Sequence, residues 1–248
     1  AAAPAGAGQY EEPRAAASIE DARTRADALR DIAAALTNAG RFEEVRTAAV
    51  SIEDEFLRES LLRDIAVALT NAGRFEEARM AAMFIESAYL RASLLREIAA
   101  ALIKAGWFEA ARTTAVSIEV AYLRASALHD IAAALAAAGR VEADAVFEEA
   151  QTAAESIEDA DERASALHDI AAALAAAGRA EADAVFGEAR AAAAEAASSE
   201  DAYMRASALR GIAAVLVRAG RFEEVRAIAA SIEELDAHAS GLHALAAL

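Results

Sequence analysis

The amino-acid sequence predicts an all-α fold, an α-solenoid of about seven stacked helix-turn-helix repeats whose periods run from 33 to 42 residues. Three observations predict it. A short phrase, Ser-Ile-Glu, recurs along the chain. An amphipathic helical pattern that ends at a glycine follows each of the first six recurrences. The only two prolines, Pro4 and Pro13, lie near the N-terminus, so no proline ring interrupts a later helix.

The recurring phrase sets the boundaries of the repeats. Two variants, Phe84-Ile85-Glu86 and Ser198-Ser199-Glu200, fill the gaps between the identical copies. The repeats therefore begin at Ser18, Ser51, Phe84, Ser117, Ser156, Ser198 and Ser231. Successive starts are 33, 33, 33, 39, 42 and 33 residues apart. A spacing in this range indicates one helix pair per repeat.

The first helix of each repeat, helix A, has recognisable start and stop signals. Asp or Ser follows the phrase in five repeats, as in Asp54 and Ser87, and both residue types cap helix N-termini. Apolar residues then recur at i, i+3, i+4 and i+7, in the second repeat as Leu62, Ile65, Ala66 and Leu69. Glycine suits the left-handed position after a helix. It ends helix A at Gly40, Gly73, Gly106, Gly139, Gly178 and Gly220.

The second helix, helix B, opens with Arg-Phe-Glu-Glu in three repeats, and acidic residues in a first turn complement the helix dipole. The fourth and fifth repeats carry insertions around residues 142–147 and 181–186. These insertions predict helices B that are longer by about two turns.

These residues resemble the tetratricopeptide-like helical repeats. That family's spacing of apolar positions, glycine and aromatic residue is matched in the second repeat by Leu62, Ile65, Ala66, Leu69, Gly73, Phe75 and Ala78. The same spacing recurs from Leu29 to Phe42 and from Leu95 to Phe108. The resemblance covers nearly the whole chain. It implies a right-handed superhelix with a concave groove that binds a protein or peptide, and it specifies no ligand by itself.

Composition narrows the classes of partner. The formal net charge is −17, from 41 acidic and 24 basic residues, and the sequence contains no basic cluster. Such a chain repels phosphate backbones and anionic membranes, so we expect no nucleic-acid partner. No apolar run approaches the roughly 20 residues of a membrane helix, so we expect no membrane insertion. The absence of cysteine excludes disulfides and thiolate chemistry, and nothing in the sequence indicates a cofactor.

One phrase has the residue types of a hydrolase triad. Ser126, His129 and Asp130 lie at i, i+3 and i+4 of one helix. The phrase recurs at Ser165, His168 and Asp169, and other repeats place arginine at the histidine position (Arg63, Arg96 and Arg210). A position that tolerates arginine is typical of a solvated helix face, and no Gly-x-Ser-x-Gly motif is present. The sequence therefore predicts a protein that is not an enzyme.

Metal sites are also not predicted. His238 and His243 are five residues apart, whereas zinc-binding helices place histidines four apart. Asp159, Asp161 and Glu162 have the carboxylates of a calcium loop, but the glycine and the terminal glutamate of an EF-hand are missing.

A row of arginines follows the start of helix A. Because arginine pairs well with carboxylates, we expect the row to form salt bridges between repeats, with a stripe facing an acidic partner as the alternative. The row consists of Arg25, Arg58, Arg91, Arg124, Arg163 and Arg205.

Aromatic residues precede several of these arginines, and we interpret them as packing between repeats rather than as a ligand cage. They are Phe56, Tyr89, Tyr122 and Tyr203. Trp107, Arg58, Arg91 and Arg124 are the candidate partner-facing residues.

The two terminal segments are half-repeats. Residues 1–17 resemble a helix B, residues 18–230 contain six repeats, and residues 231–248 resemble a helix A, all within one predicted solenoid domain. Joined tail to head, two copies would complete a repeat, and such a contact generates a filament. The candidate interface residues are Tyr10, Ala15, Ile19, Leu242, Leu245 and Leu248.

The alternative is a monomeric scaffold, or a piece of a longer array, that binds a protein or peptide in its concave groove. An extracellular location is favoured for a filament, since the small residues Ala1–Ala3 suit a signal-peptidase product. A cytoplasmic location is favoured otherwise.

Overall fold

The computed structural model describes residues 54–196 without a break and thirteen separate positions outside this range. Those positions are Thr24, Ala28, Asp31, Ala49, Ile52, Ala213, Val217, Phe222, Glu223, Val225, Arg226, Ala227 and Ala230. The chain divides into two compact units, Ala1–Glu119 and Val120–Leu248.

Each unit contains two helix-turn-helix repeats within the continuous range. The helices of the first unit are α1 (Glu55–Asn71), α2 (Phe75–Ala82), α3 (Ala88–Lys104) and α4 (Phe108–Val116). Those of the second unit are α5 (Ala121–Ala137), α6 (Ala143–Glu155), α7 (Ala160–Ala176) and α8 (Ala182–Ala196). Residues 54–196 contain no β-strand. The predicted all-α repeat fold is therefore confirmed, with α1, α3, α5 and α7 as helices A.

The predicted caps form at three of the four helices A. The Asp54 carboxylate accepts a hydrogen bond from the Leu57 N–H at 3.0 Å, and Ser87 Oγ accepts one from the Leu90 N–H at 3.3 Å. Asp159 caps α7 in the same way. Each cap satisfies backbone donors that the helix leaves without an internal partner. The short polar residue at this position thus caps helix A where it is present, and α5 begins at the equivalent position after Val120 without a side-chain cap.

The glycine after helix A ends it by a Schellman motif. In the first unit the Gly73 N–H bonds the Thr70 carbonyl at 3.0 Å, and the Arg74 N–H bonds the Leu69 carbonyl at 2.8 Å. The motif requires a left-handed residue, and Gly73 has φ = 73°. The glycines that end α3, α5 and α7 also have positive φ.

Two glycines give opposite expectations for the same substitution. Gly106 has φ = +77°, so Gly106→Ala is expected to destabilise the protein by about 1–2 kcal/mol. Gly187 lies inside α8, and a Cβ added there meets nothing within 4 Å. Gly187→Ala is therefore expected to stabilise it by about 0.5–1 kcal/mol. Urea unfolding followed by circular dichroism measures both, and destabilisation by both would contradict the assigned backbone conformations.

The core of each repeat lies between the apolar face of helix A and small residues of helix B. In the first unit Leu62, Ile65 and Leu69 are buried on α1, and Ala78 and Ala81 face them from α2. Alanine at the facing positions lets paired helices approach to the close end of the usual 8–10 Å range. Burial of this face by its neighbours is what holds a repeat in the stack.

The insertions lengthen helix B in the second unit. Helices α6 and α8 have 13 and 15 residues, whereas α2 and α4 have 8 and 9. The extra length is about one turn in α6 and somewhat less than two turns in α8. The predicted two turns are too many for α6, because part of its insertion forms the turn before the helix. Val146 and Phe147, with Val185 and Phe186, fill the enlarged cores.

Candidate functional site

The Ser-Ile-Glu phrase forms the joint between one repeat and the next. Its isoleucine is buried, and the isoleucine N–H ends helix B by bonding an alanine carbonyl three residues earlier. The bond runs from Ile85 to Ala82 at 3.0 Å and from Ile157 to Ala154 at 3.0 Å. The recurring phrase is therefore a helix stop and a core residue together, which explains its place at every described joint.

The arginine row connects successive joints. Arg91 donates through Nη1 to the Ile85 carbonyl at 2.6 Å and through Nη2 to the Glu119 carboxylate at 2.6 Å. Arg58 makes the same contacts with Ile52 and Glu86. One guanidinium thus binds the joint before its helix and the glutamate of the joint after it. Since the two contacts lie on different repeats, the arginine fixes the distance between them.

In the second unit the equivalent arginines have different partners, and only the Arg124 contact reaches the next repeat. Arg163 donates to the Ile157 carbonyl at 2.7 Å and to Glu195 of α8 at 2.5 Å, and Arg124 donates to Ser156 Oγ at 3.2 Å. The predicted salt bridging between repeats is confirmed for Arg58 and Arg91, whereas Arg163 pairs with Glu195 of its own repeat. The side chains of Arg58 and Arg91 are only 18% and 16% exposed. Their partner-facing role stays a prediction, as does that of Arg124.

The aromatic residues that precede the arginines are placed differently from the prediction. Phe56 is 79% exposed and Tyr89 is 62% exposed, so the interpretation as packing between repeats is wrong for these two. At 100° per residue their position lies roughly opposite the buried leucine and isoleucine face of helix A. Tyr122 is half-buried in the second unit. Tyr203 lies outside the described residues.

Trp107 has both a packed and an exposed side. Its ring meets Phe75 of the preceding repeat edge-on, with centroids 5.4 Å apart and an interplanar angle of 70°. The side chain is still 56% exposed. It occupies the position before helix B where the preceding repeat has Arg74, which pairs with Glu77. The role of Trp107 toward a partner remains a prediction.

A groove in the second unit brings together residues from two helices A. It has a volume of about 330 Å³ and lies on the face of α5 and α7 that points away from the helices B. From α5 it is lined by Tyr122, Ala125, Ser126 and His129, and from α7 by Glu162, Ser165, Ala166 and Asp169. We call this site the helix A groove.

The α7 wall of the groove is acidic. Helix α7 carries the carboxylates of Asp161, Glu162 and Asp169 against the single guanidinium of Arg163. In α5 one arginine and one aspartate balance. At the histidine positions of α5 and α7, the helices A of the first unit instead carry arginines. The charge on the equivalent face of helix A therefore differs between repeats, although the fold of the repeats is the same.

Asp161 occupies the position that is aromatic in α1, α3 and α5. Burial of the carboxylate and the negative charge of Asp159 raise the pKa of Asp161. Its Oδ1 atom is buried, and the described residues provide no hydrogen-bond partner for it. A raised pKa in the folded state favours folding at low pH, and this contribution is lost as the pH rises through the folded-state pKa.

Asp161→Asn is therefore expected to stabilise the protein at pH 7, by less than about 1 kcal/mol, with a smaller gain at pH 3. The exposed residue Glu148 on α6 provides the control, because Glu148→Gln should change stability by less than about 0.5 kcal/mol at either pH. Urea midpoints at the two pH values test the difference. An equal gain at both values would show that the ionised carboxylate of Asp161 is not the cause.

The two hydrolase-like phrases fall in different environments. Ser126 and His129 line the groove, and His129 Nδ1 lies 3.3 Å from the Asp130 carboxylate. In the second copy Ser165 is exposed, whereas His168 is buried and its ring centroid lies 5.8 Å from that of Phe186. The equivalent histidines thus have unlike surroundings. The expectation that neither phrase is catalytic remains a prediction.

The described residues form neither a metal-binding cluster nor a membrane-spanning helix. Among them, no group of three or more His, Cys, Asp or Glu side chains has an arrangement that could hold a metal ion. The Asp159 carboxylate caps α7 by accepting from the Asp161 and Glu162 N–H groups. No described helix is long and apolar enough to span a bilayer. His238, His243 and all six candidate self-assembly residues lie outside the described part of the chain.

Three solved structures are similar to this chain. One is a putative kinesin light chain of Podosopora anserina with nearly identical TPR-like repeats. It is 20% identical to this chain with a TM-score of 0.35, and the match covers 73% of this chain and 100% of the kinesin light chain structure. BtubC from P. vanneervenii is 16% identical with a TM-score of 0.37, and the match covers 94% of this chain and 93% of BtubC. A circular tandem repeat protein is 15% identical with a TM-score of 0.27, and the match covers 92% of this chain and 56% of that protein.

No family model matches the chain, and no curated protein matches it. The class is defined by the helix pairs themselves, with their caps, their Schellman turns and their repeated joints. The described part of the chain has an all-α fold of helix-turn-helix repeats.

Proposed function

We propose that this protein is a non-enzymatic scaffold that binds a segment of another protein in the helix A groove between α5 and α7. The observation that supports the proposal is the groove itself, which is open to solvent and has walls on two helices, α5 and α7, connected by the bond from Arg124 of α5 to Ser156 Oγ before α7. A wall that is already ordered before binding costs little conformational entropy when a ligand enters. The groove is large enough for one or two side chains, so the remaining contacts would come from the bound backbone.

Selection of peptides from a displayed random library on the full chain tests the proposal. Ser165 lies in the groove and is exposed, so Ser165→Trp should fill the groove without disturbing the core. Peptides that bind there are expected to lose at least about tenfold in affinity, equivalent to about 1.4 kcal/mol. Glu148→Trp adds the same ring on α6, outside the groove, and should change affinity by less than about twofold.

Two outcomes would contradict groove binding. One is a selection that yields no binder to the full chain. The other is a set of binders that Ser165→Trp leaves unaffected, since these would occupy another surface. Circular dichroism of both variants confirms that the helices are retained.

Assembly of copies end to end is the second proposal, and the observation that favours it is the match between the terminal half-repeats. Residues 5–14 align in sequence with residues 37–46, where the sequence predicts the end of a helix A and the start of a helix B, and residues 231–248 align with the predicted start of a helix A. Tyr10, Ile19 and Leu245 would then contribute to the contact. Leu245→Asp is expected to abolish assembly, because it places a charge in an apolar interface. Sedimentation velocity over a range of concentrations measures this, and a wild-type chain that remains monomeric throughout would contradict it.

A further inference from the structure

We propose that the helix A groove selects a segment with two basic side chains, lysine or arginine, spaced three residues apart in a polyproline II backbone. The inference rests on the proposed function and names the chemistry of the bound segment. It follows from the placement of carboxylates, hydroxyls and one aromatic ring on the two walls.

The carboxylates of the α7 wall are available to a ligand. Glu162 and Asp169 both line the groove and are exposed. Within residues 54–196 no ion pair or side-chain hydrogen bond occupies either carboxylate. They are seven residues apart, so they lie on the same stripe of α7 and about 10 Å from each other along its axis. A polyproline II backbone rises about 3.1 Å per residue with three residues per turn, so two side chains three residues apart lie on the same side of it at about this distance.

The α5 wall suits the same ligand. The Tyr122 ring lines the groove opposite the acidic stripe, and the face of an aromatic ring attracts a lysine ammonium or an arginine guanidinium. Ser126 on α5 and Ser165 on α7 add hydroxyl oxygens that accept hydrogen bonds from either cation. The groove thus offers carboxylates and hydroxyl acceptors with an aromatic face, a set that favours a cation over an anion.

The nearby cations do not cancel this preference. Arg124 donates to Ser156 Oγ, and Arg163 donates to the Ile157 carbonyl and to Glu195. His129 is the titratable base on the groove lining, and its Nδ1 lies against Asp130. The net charge of −17 would also steer a basic segment toward the chain. An acidic segment would meet repulsion from both the groove wall and the whole surface.

Titration of two fluorescein-labelled peptides against the full chain tests the inference. One is Gly-Lys-Ala-Ala-Lys-Gly, and its counterpart carries glutamate in place of both lysines. The lysine peptide is expected to bind, and its affinity should fall as ionic strength rises from 0.05 to 0.3 M because salt screens charges at the surface. The double variant Glu162→Gln/Asp169→Asn should weaken binding at least about fivefold, since both carboxylate partners are neutralised.

A matched control distinguishes binding of the peptide in the groove from its attraction to the overall negative charge of the protein. Glu148→Gln/Glu181→Gln removes the same number of charges from exposed positions outside the groove, and it should change affinity by less than about twofold. Equal weakening by the two double variants would overturn the inference, as would equal binding of the two peptides. NMR of the isotope-labelled protein provides a second readout. The chemical shift of the Ser165 backbone amide should change when the lysine peptide is added and not when the glutamate peptide is added.

The library selection distinguishes failure of the inference from failure of the proposed function. Binders that Ser165→Trp blocks but that lack the basic pair would overturn the inference and leave groove binding intact. Binders that are blocked and enriched in paired basic residues would support both.

Discussion

Replacing Ile98 with alanine is expected to lower the free energy of unfolding by about 2–5 kcal/mol. Ile98 lies in the middle of α3 and is fully buried, so the substitution removes buried methyl groups and leaves a cavity. Because each repeat depends on its neighbours for burial, the loss also weakens the contacts of α3 with the helices packed against it. Urea unfolding at 25 °C measures the change.

Phe56→Ala is the matched control for this core prediction. It removes a larger side chain, but Phe56 is 79% exposed and lies in the first turn of α1. Alanine is the better helix former, so the expected change is less than about 0.5 kcal/mol. If Phe56→Ala destabilised the protein as much as Ile98→Ala, the assignment of buried and exposed faces of helix A would be contradicted.

Replacing Arg91 with alanine is expected to cost about 1–3 kcal/mol. The guanidinium is mostly buried and binds the Ile85 carbonyl and the Glu119 carboxylate, so its removal takes a charged donor from both. The cost should persist at 0.5 M salt, since the bond to the carbonyl is not an ion pair and is shielded from solvent. Thermal and urea unfolding at low and high salt measure both effects.

Arg79 provides the comparison for the joint. It pairs with Glu76 on the surface of α2, three residues apart in the same helix. Arg79→Ala is expected to cost no more than about 0.5 kcal/mol, and salt should remove the cost. Similar losses from Arg79→Ala and Arg91→Ala would show that the arginine row contributes only surface ion pairs and does not join the repeats.

The features that the sequence predicted correctly are those determined by local chemistry. Asp54 and Ser87 cap their helices and Gly73 is left-handed because each function needs only the residue and its immediate neighbours. The arginine row was predictable for a related reason. Its contacts join positions one period apart, and a repeat sequence displays such positions at equal intervals.

The helix A groove could not be predicted in the same way. Tyr122 and Glu162 meet across it although they are one repeat apart and occupy different positions in their helices. One signal was present in the sequence. Tyr122-Leu123 of the fourth repeat, an aromatic and an aliphatic residue, becomes Asp161-Glu162 in the fifth. That substitution cannot serve the packing of an apolar core, and a local departure of this kind marks a candidate site.

For the aromatic residues near the start of helix A, the sequence predicted a contact that the structure does not show. Phe56 and Tyr89 recur at one repeat interval, which suggested contact between repeats, yet both are largely exposed. The period locates equivalent positions but not the face on which they lie. The face follows from the 100° step from the buried Leu62.

Hydrogen–deuterium exchange of the full chain, with and without a peptide from the library selection, tests the proposed function most directly. Binding in the helix A groove predicts slower exchange in α5 and α7, and no change in α6 and α8 beyond that transmitted through their shared cores. Ser165→Trp should abolish the protection. Protection confined to α6 and α8, or protection that persists in Ser165→Trp, would contradict the groove as the binding site.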